Sequence, residues 1–385
     1  MSTNDEIAIA SENPLEQIWL HLAKMESVAL ARKAILERAQ RCGSQLSDDL
    51  LGRKAVGLAY TLRNARDFLE DPTRSHTKQI LNSYYGMFSF LSALLIANPR
   101  NQYDLAGAEK AGKYGHGLQS AEDSTASFPA SQKVYVSNDG LFNYYLKDVG
   151  FSDAELSHVK FTSRVKTLPT QPEEVSKLLS LDELLARIPE LSSFYFEVSG
   201  RRPLTAQVSY GLLDNRAMSQ PSQQPPPLPK TWLRVDVIGN SPATPEELFR
   251  HLAIPLTEAK FPERVDSHER PSVMGALQAE IAEGKYWFDY IDLYGSAACP
   301  NFWVKPLWAK TSDMLCIHFC TLYMLSIMVR YKPKLWREIT EGENNEYLAL
   351  IRSYLAVVHR AVPELVLSGI LDRPVRAVVP GSIYA

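Results

Sequence analysis

The stretch that most constrains this chain runs from Asp71 to Leu118. It reads DPTRSHTKQILNSYYGMFSFLSALLIANP, then a polar run, then GKYGHGL. Between Ile80 and Ile96 apolar side chains occur almost all round a helical axis. Such a helix needs neighbours on every side, so it predicts a core helix and not a surface one. Asp71 as cap and Pro72 in the first turn set one end, and Asn98-Pro99 the other. The predicted core helix covers residues 72–97. Asn82, Gly86, Ser89 and Ala93 make one stripe of small residues, where a second helix can approach closely. In GKYGHGL, Gly112, Gly115 and Gly117 surround His116 and allow unusual backbone angles and close approach of a partner.

A chain built round such a helix must be long enough to wrap it. The 385 residues suffice for one large domain or two ordinary ones. An apolar content of 45% and a charged content of 22% are those of a soluble globular protein. A net charge of −3 gives no global electrostatic case for nucleic acid or an anionic membrane, and leaves room for a local basic groove. Cys42, Cys299, Cys316 and Cys320 have no framework spacing, which points to a reducing, cytoplasmic compartment. The N-terminal residues lack a basic segment followed by an apolar run, so no signal peptide is expected. The longest apolar run, Met314 to Val329, contains His318 and is short for a bilayer span, so no membrane contact is expected.

In chain order, residues 1–12 are polar and small, and helical spacing follows from Asn13-Pro14, over Val28 to Arg41, and over Leu50 to Leu69. With the core helix these give a helical N-terminal module over residues 13–118. Residues 119–308 read as a mixed α/β middle region. It opens with a polar loop over Ala121 to Gln132 and a strand at KVYVS, and Ser180 with Glu183 forms a capping box for a helix over SLDELLARIPEL. Phe194 to Ser199, Leu204 to Tyr210 and Trp232 to Gly239 read as strands, and Glu246 to Leu252 and Ser272 to Ala282 as helices. The Pro-rich loop over residues 218–230 is polyproline-like, an exposed spacer or a ligand for an aromatic groove. Residues 309–371 then supply C-terminal helices that pack on the N-terminal module, the first of them an all-round apolar helix over Ser312 to Tyr331. The fold class is α+β, predominantly helical: a helical body from both chain ends with a β-containing middle.

The blocks SYYGMFSFLSALLIANP, YGHGL, NDGLFNYY, LLARIPELSSFY and LYMLSIMVRYKPKLW, in this order, resemble the YaaC-like family of bacterial proteins along most of the chain. None of the blocks is a catalytic signature. A second resemblance covers about a quarter of the chain: a YYGMF helix followed by HGL is similar to HEPN helical domains. That likeness implies a role in bacterial defence or stress response. It also implies metal-independent RNA cleavage by an Arg-x(4–6)-His motif assembled across a homodimer. The matching spacing here is Arg352-SYLAVV-His359.

The chemistry of that pair is specific. Seven residues on a helix return two side chains to nearly the same face, here the border of an arc built by Leu348, Leu350, Ile351, Tyr354, Leu355, Val358 and Val362. Metal-free RNA cleavage needs a proton carrier and a cation on the phosphate, tasks that suit His359 and Arg352. The structural alternative is a snorkelling arginine beside a surface histidine. His116, Lys113 and Tyr84 are candidate substrate-binding residues, the histidine at a substrate backbone, the lysine at a phosphate and the tyrosine stacked on a base. Equally, the glycines make a tight turn in which His116 bonds a helix end, and the tyrosine is core. Arg74, His76 and Lys78 at the start of the core helix invite an anion or form a solvated cluster. Cys316, His318 and Cys320 look like metal ligands, yet on a helix His318 points away from the cysteines, so the expected metal is none. Motifs for nucleotide phosphates, zinc hydrolysis and nucleophilic serine are absent, so the expected cofactor is none. The expected partners are RNA or a protein bound by the aromatic-rich middle region. The readings from other classes are a non-catalytic interaction subunit and a small-molecule or nucleotide sensor.

Overall fold

The computed structural model describes residues 7–71, 73, 75–113, 115–211, 232–236, 245–254, 256–260, 272–277, 291–296 and 299–378. The Pro-rich loop over 218–230, Pro72 and Arg74 lie outside the described residues. The chain forms two compact units, one from the described residues of Asp5–Leu185 and Asp313–Ala385, the other from those of Ala186–Ser312. Residues 119–185, at the head of the expected middle region, thus fold with the helices of the two chain ends.

The first unit opens with strand β1 (Ile7–Ala10) and helices α1 (Pro14–Lys24), α2 (Val28–Arg41), α3 (Asp48–Leu69), α4 (His76–Ala97) and α5 (Leu105–Lys113). The side chains of Asn13 and Ser47 accept from backbone amides in the first turns of α1 and α3, so local capping starts both helices. The strands β2 (Leu118–Glu122) and β3 (Gln132–Val136) follow, then α6 (Leu141–Asp148), α7 (Asp153–Val159), α8 (Pro172–Val175), β4 (Leu179–Ser180) and α9 (Leu181–Leu185). The strand order β2-β3-β4 is antiparallel throughout, with Ser120 opposite Val134 and Val134 opposite Leu179.

The second unit holds α10 (Ser192–Ser199), β5 (Thr205–Gly211), β6 (Trp232–Asp236), α11 (Pro245–Leu252), β7 (Leu256–Lys260), β8 (Ser272–Leu277) and β9 (Phe302–Val304). Its five strands lie in the order β7-β8-β6-β5-β9, each pair antiparallel. Ala206, Val208, Val235, Leu252, Ile254, Ile291 and Trp303 make its core. The Trp303 indole donates to the Leu252 carbonyl at 3.2 Å, so this large buried side chain keeps its polar atom satisfied.

The chain then returns to the first unit with α12 (Met314–Tyr331), α13 (Pro333–Glu341), α14 (Glu346–Leu371) and β10 (Val375–Val378). β10 pairs in parallel with β1, Ile7 opposite Val375, which fastens the two described ends together. Helix α4 is the centre of this unit, packed by α3, α12, α14, α6 and α5. Helices α4, α12 and α14 are each long and apolar enough to cross a membrane by length and composition, and most of each is buried inside the unit. Predominantly helical α+β is the observed class.

Four local expectations are corrected. Helix α4 starts at His76 after Ser75, not at Pro72, because Asp71 bonds the Asn82 amide at 2.8 Å in place of capping. Leu118 to Glu122 is a strand paired with β3, where a polar loop was expected from Ala121. Phe194 to Ser199 belongs to a helix, because Ser192 and Tyr195 alone face inward one turn apart and Gly200, at φ +66°, ends the helix. Ser272 to Leu277 is a strand held between β6 and β7, so pairing on both edges overrides the local helical pattern.

Candidate functional site

His116 is the starting point, because its loop is fixed on all sides. Gly115 and Gly117 take φ of +99° and +83°, and Gly140 takes +130°. A side chain at Gly140 would meet the Gly117 amide nitrogen at 2.2 Å, so the two turns interlock and only glycine fits there. The first amides of α6 then donate into the loop, Leu141 to the Gly115 carbonyl at 3.2 Å and Phe142 to the His116 carbonyl at 3.1 Å. A helix start with free amides is completed by these carbonyls. It is thus the main chain of His116, not its ring, that bonds a helix end.

The ring is left for other work. It lies edge-on to Tyr84 and Phe88 of α4, with centroids 5.3 and 5.4 Å away, and 6.2 Å from Tyr323 of α12. Its Nδ1 is buried with no hydrogen-bond partner. Burial, and secondarily the charge of Arg330, lowers its pKa below the ordinary histidine value, which keeps the ring neutral near pH 7. Tyr84 is fully buried, and its hydroxyl also lacks a partner. Phe319 stacks on Tyr84 at 5.8 Å, and Tyr323 meets it edge-on at 6.0 Å. Burial raises the pKa of Tyr84 and pushes that of Tyr323 up to about 12, so both phenols are neutral donors.

Arg330 supplies the charge. Its guanidinium lies 5.9 Å from the Tyr84 ring and 5.1 Å from the exposed Tyr331 ring. It donates to the Ser326 carbonyl and hydroxyl, each at 3.0 Å, and pairs with no carboxylate among the described residues. An aromatic face beside an unneutralised guanidinium and neutral donors suits an anion attached to a flat ring. Lys113, the last residue of α5, is exposed, and Gly112 before it packs on Phe88.

The structure therefore brings His116 and Tyr84 together and adds Tyr323 and Arg330, which sequence reasoning passed over. A signal existed: Arg330 is the single charged side chain in the otherwise apolar α12. Arg352 and His359 sit on α14, apart from this cluster in sequence and element. Arg352 is exposed and His359 half-buried, and burial lowers the pKa of the histidine. Of the arc beside them, Leu350, Ile351, Tyr354, Leu355, Val358 and Val362 are buried and Leu348 is half-buried.

The other histidine cluster is core. Cys316, His318 and Cys320 are fully buried, and burial raises both thiol pKa values and lowers that of His318 to about 3. No group of three or more His, Cys, Asp or Glu side chains placed to hold a metal occurs among the described residues. All four cysteines are free thiols.

Comparison with known proteins gives one match. No curated protein and no solved structure matches the chain. The model of the family described as YaaC-like Protein matches residues 24–370, which takes in both parts of the helical unit and the β unit between them, and the chain belongs to the YaaC-like family.

Proposed function

We propose that this YaaC-like protein binds a nucleotide, free or within RNA, in the cytoplasm, at the cluster of His116, Tyr84, Tyr323 and Arg330. The observation that carries this reading is Arg330: a guanidinium with no carboxylate partner among the described residues, lying over a buried tyrosine beside an unpartnered imidazole nitrogen. Phosphate meets the cation and the base meets the aromatic faces. Lys113, exposed at the end of α5 three residues before His116, is a second cation on this stretch of chain. The test is calorimetric titration of the purified protein with ribonucleotides and with short RNA oligomers. Arg330→Ala is expected to weaken binding at least tenfold with the fold intact. Unchanged affinity in that variant removes the site.

A second reading gives the chain an HEPN-like ribonuclease activity, in defence or stress response, through Arg352 and His359 of a homodimer. What favours it is that both side chains reach the edge of the same helix, Arg352 exposed and His359 half-buried. Arg352 holds the phosphate with its planar fork and His359 exchanges the 2′-hydroxyl proton. His359→Ala should abolish RNA cleavage and leave the melting temperature nearly unchanged. Equal cleavage by parent and variant, or light scattering that shows monomer alone at micromolar concentration, removes this reading.

A further inference from the structure

Three of the buried polar atoms without a hydrogen-bond partner among the described residues meet at one loop: His116 Nδ1 within it, the hydroxyl of Tyr84, whose ring lies edge-on to His116, and Asn143 Oδ1 beside Gly117. Native interiors leave few such atoms, and each calls for an explanation. Tyr84 has no solvent exposure at all, and burial raises its pKa above the ordinary tyrosine value while the charge of Arg330 acts to lower it. Asn143 uses its amide on the Ser137 carbonyl at 2.9 Å, and its oxygen stays unused beside Gly117. The ring of His116 is in contact with the rings of Tyr84 and Phe88 from α4 and Tyr323 from α12, while its main chain is locked to the start of α6.

The charges that face His116 are few. From α12 comes Arg330, a permanent cation, and Tyr323, neutral up to about pH 12. From α4 come Tyr84, neutral as well, and the apolar Phe88. The start of α6 offers Phe142 and Asn143, neither of which titrates. The carboxylate of Asp139, just before Gly140, accepts from the Gly140 amide at 2.7 Å. Among the described residues, the charge that acts on the His116 ring is that of Arg330, and the side chains in contact with the ring are uncharged.

Resting on the nucleotide reading above, we propose that the site takes a terminal phosphomonoester, the free 5′-phosphate of a nucleotide or of an RNA end, and that His116 gains a proton as this group arrives. A monoester carries close to two negative charges near neutrality, since its second ionisation lies at about pH 6. Arg330 answers one of them. The second draws a proton onto His116, whose ring is neutral beforehand because it is buried next to a cation. An internal phosphodiester carries one charge and asks for no second cation. Tyr84 and Tyr323 serve as neutral donors and aromatic walls, so they specify the ligand without adding charge.

Proton uptake makes binding pH-dependent with a definite sign. A site that takes up one proton on binding tightens as pH falls, by up to about tenfold per unit, while the free histidine remains neutral. The experiment is calorimetry on the full chain at pH 8 and pH 6.5, each in two buffers of different ionisation enthalpy, which counts protons. The probes are the four ribonucleoside 5′-monophosphates, the matching nucleosides, a dinucleoside with one internal phosphodiester, and a short RNA with and without a 5′-phosphate. The 5′-phosphorylated probes should bind at least tenfold tighter than their counterparts, with uptake of a fraction of a proton that rises toward one. His116→Gln should remove the uptake and flatten the pH dependence, and Arg330→Gln should weaken every phosphorylated probe. Circular dichroism certifies that both variants fold. Preference for the mononucleotide over the phosphorylated RNA identifies a free nucleotide, and the reverse identifies an RNA end. If nucleosides and the internal diester bind as tightly as the monoesters, or uptake persists in His116→Gln, the monoester inference falls and the nucleotide reading stands. If no probe binds, both fall.

Discussion

Helix α4 carries two buried polar clusters, and they differ in how their groups are matched. At its C-terminus Lys54 of α3 is fully buried and lies within 2.8–3.1 Å of four acceptors: the carbonyls of Ile96, Asn98 and Tyr103 and the side-chain oxygen of Asn101. The amides of Asn98 and Asn101 turn to Asp148 at 2.8 and 3.1 Å, and Asn101 also bonds the Leu95 carbonyl. A cation seated at the negative end of a helix, with the orphan carbonyls of the last turn answered, is a device for holding the fold. Midway along the same helix, Tyr84 and the facing His116 have unanswered polar atoms, beside an arginine that has no carboxylate partner among the described residues. The same low-polarity surroundings rigidify the first cluster and leave the second destabilised. That contrast teaches where function is to be sought: buried polar groups are matched at one end of α4 and left unmatched in its middle.

The largest expected effect breaks the matched cluster. Lys54→Met preserves length and apolar bulk but leaves several buried acceptors unanswered. It should cost about 3–5 kcal/mol in chemical denaturation, the range for removing one partner of a buried charged network. Loss of less than about 1 kcal/mol would show that the knot is not what holds the C-terminus of α4. Burial lowers the Lys54 pKa to about 8 against 10.5 unfolded, so the unfolded chain binds the extra proton between those values. The contribution of this one group to stability therefore rises, not falls, as pH goes from 8 to 10.5.

Between the clusters lies Gly86, and it sharpens the comparison by testing packing alone. A Cβ at this position would come within 2.6 Å of Leu69 Cγ on α3. Gly86→Leu should overpack the contact and cost about 1–3 kcal/mol. Leu69→Ala added to Gly86→Leu should recover part of that loss, measured as a non-additive double-mutant cycle. Strict additivity would place the strain elsewhere.

How legible these features were follows from the range of the forces behind each. The all-round apolar character of residues 80–96 and 314–329 identified α4 and α12, because composition alone tells a helix that it has neighbours on every side. Asn98-Pro99 marked the end of α4 and Ser180 with Glu183 marked α9, since caps are written within four residues. Phe194 to Ser199 misled because its aromatic residues favour strands, while the deciding signal was Gly200 one residue beyond. Ser272 to Leu277 misled because the partners that make it a strand come from elsewhere in the chain. The same reason hid half of the site. His116 and Tyr84 were visible as a glycine-flanked histidine and an aromatic pair, but Arg330 joins them across more than two hundred residues, and Lys54 meets the end of α4 from another helix.

His318 offers a third kind of buried polar group, one with neither partners nor a site. It is fully buried on α12, both ring nitrogens are unpartnered, and it stacks on Tyr354 at 5.8 Å. Burial lowers its pKa to about 3, while the unfolded chain takes a proton near 6.5. Its contribution is therefore present above pH 6.5 and lost as pH falls toward 3, with about 2 kcal/mol gone by pH 5. His318→Leu should remove this slope. Denaturation at pH 7 and pH 5 that gives equal losses in parent and variant would show that His318 is not the group responsible.

The smallest expected change in stability is also the sharpest test of the contrast. Tyr84→Phe deletes the buried hydroxyl and keeps the ring that packs against Phe319, Tyr323 and His116. Were the hydroxyl part of the fold's own bonding, its loss would cost about 1 kcal/mol. Because it has no partner, deleting it relieves an unsatisfied donor, and the variant should be as stable as the parent or more stable by up to about 1 kcal/mol. On the proposed nucleotide site, the same substitution should weaken binding of a nucleotide monophosphate by several-fold. A residue whose truncation raises stability and lowers affinity is maintained for binding, and the paired measurement separates that case from simple core packing. Destabilisation of Tyr84→Phe by 1 kcal/mol or more would join this cluster to the Lys54 knot as a structural element, and the distinction between the two halves of α4 would be lost.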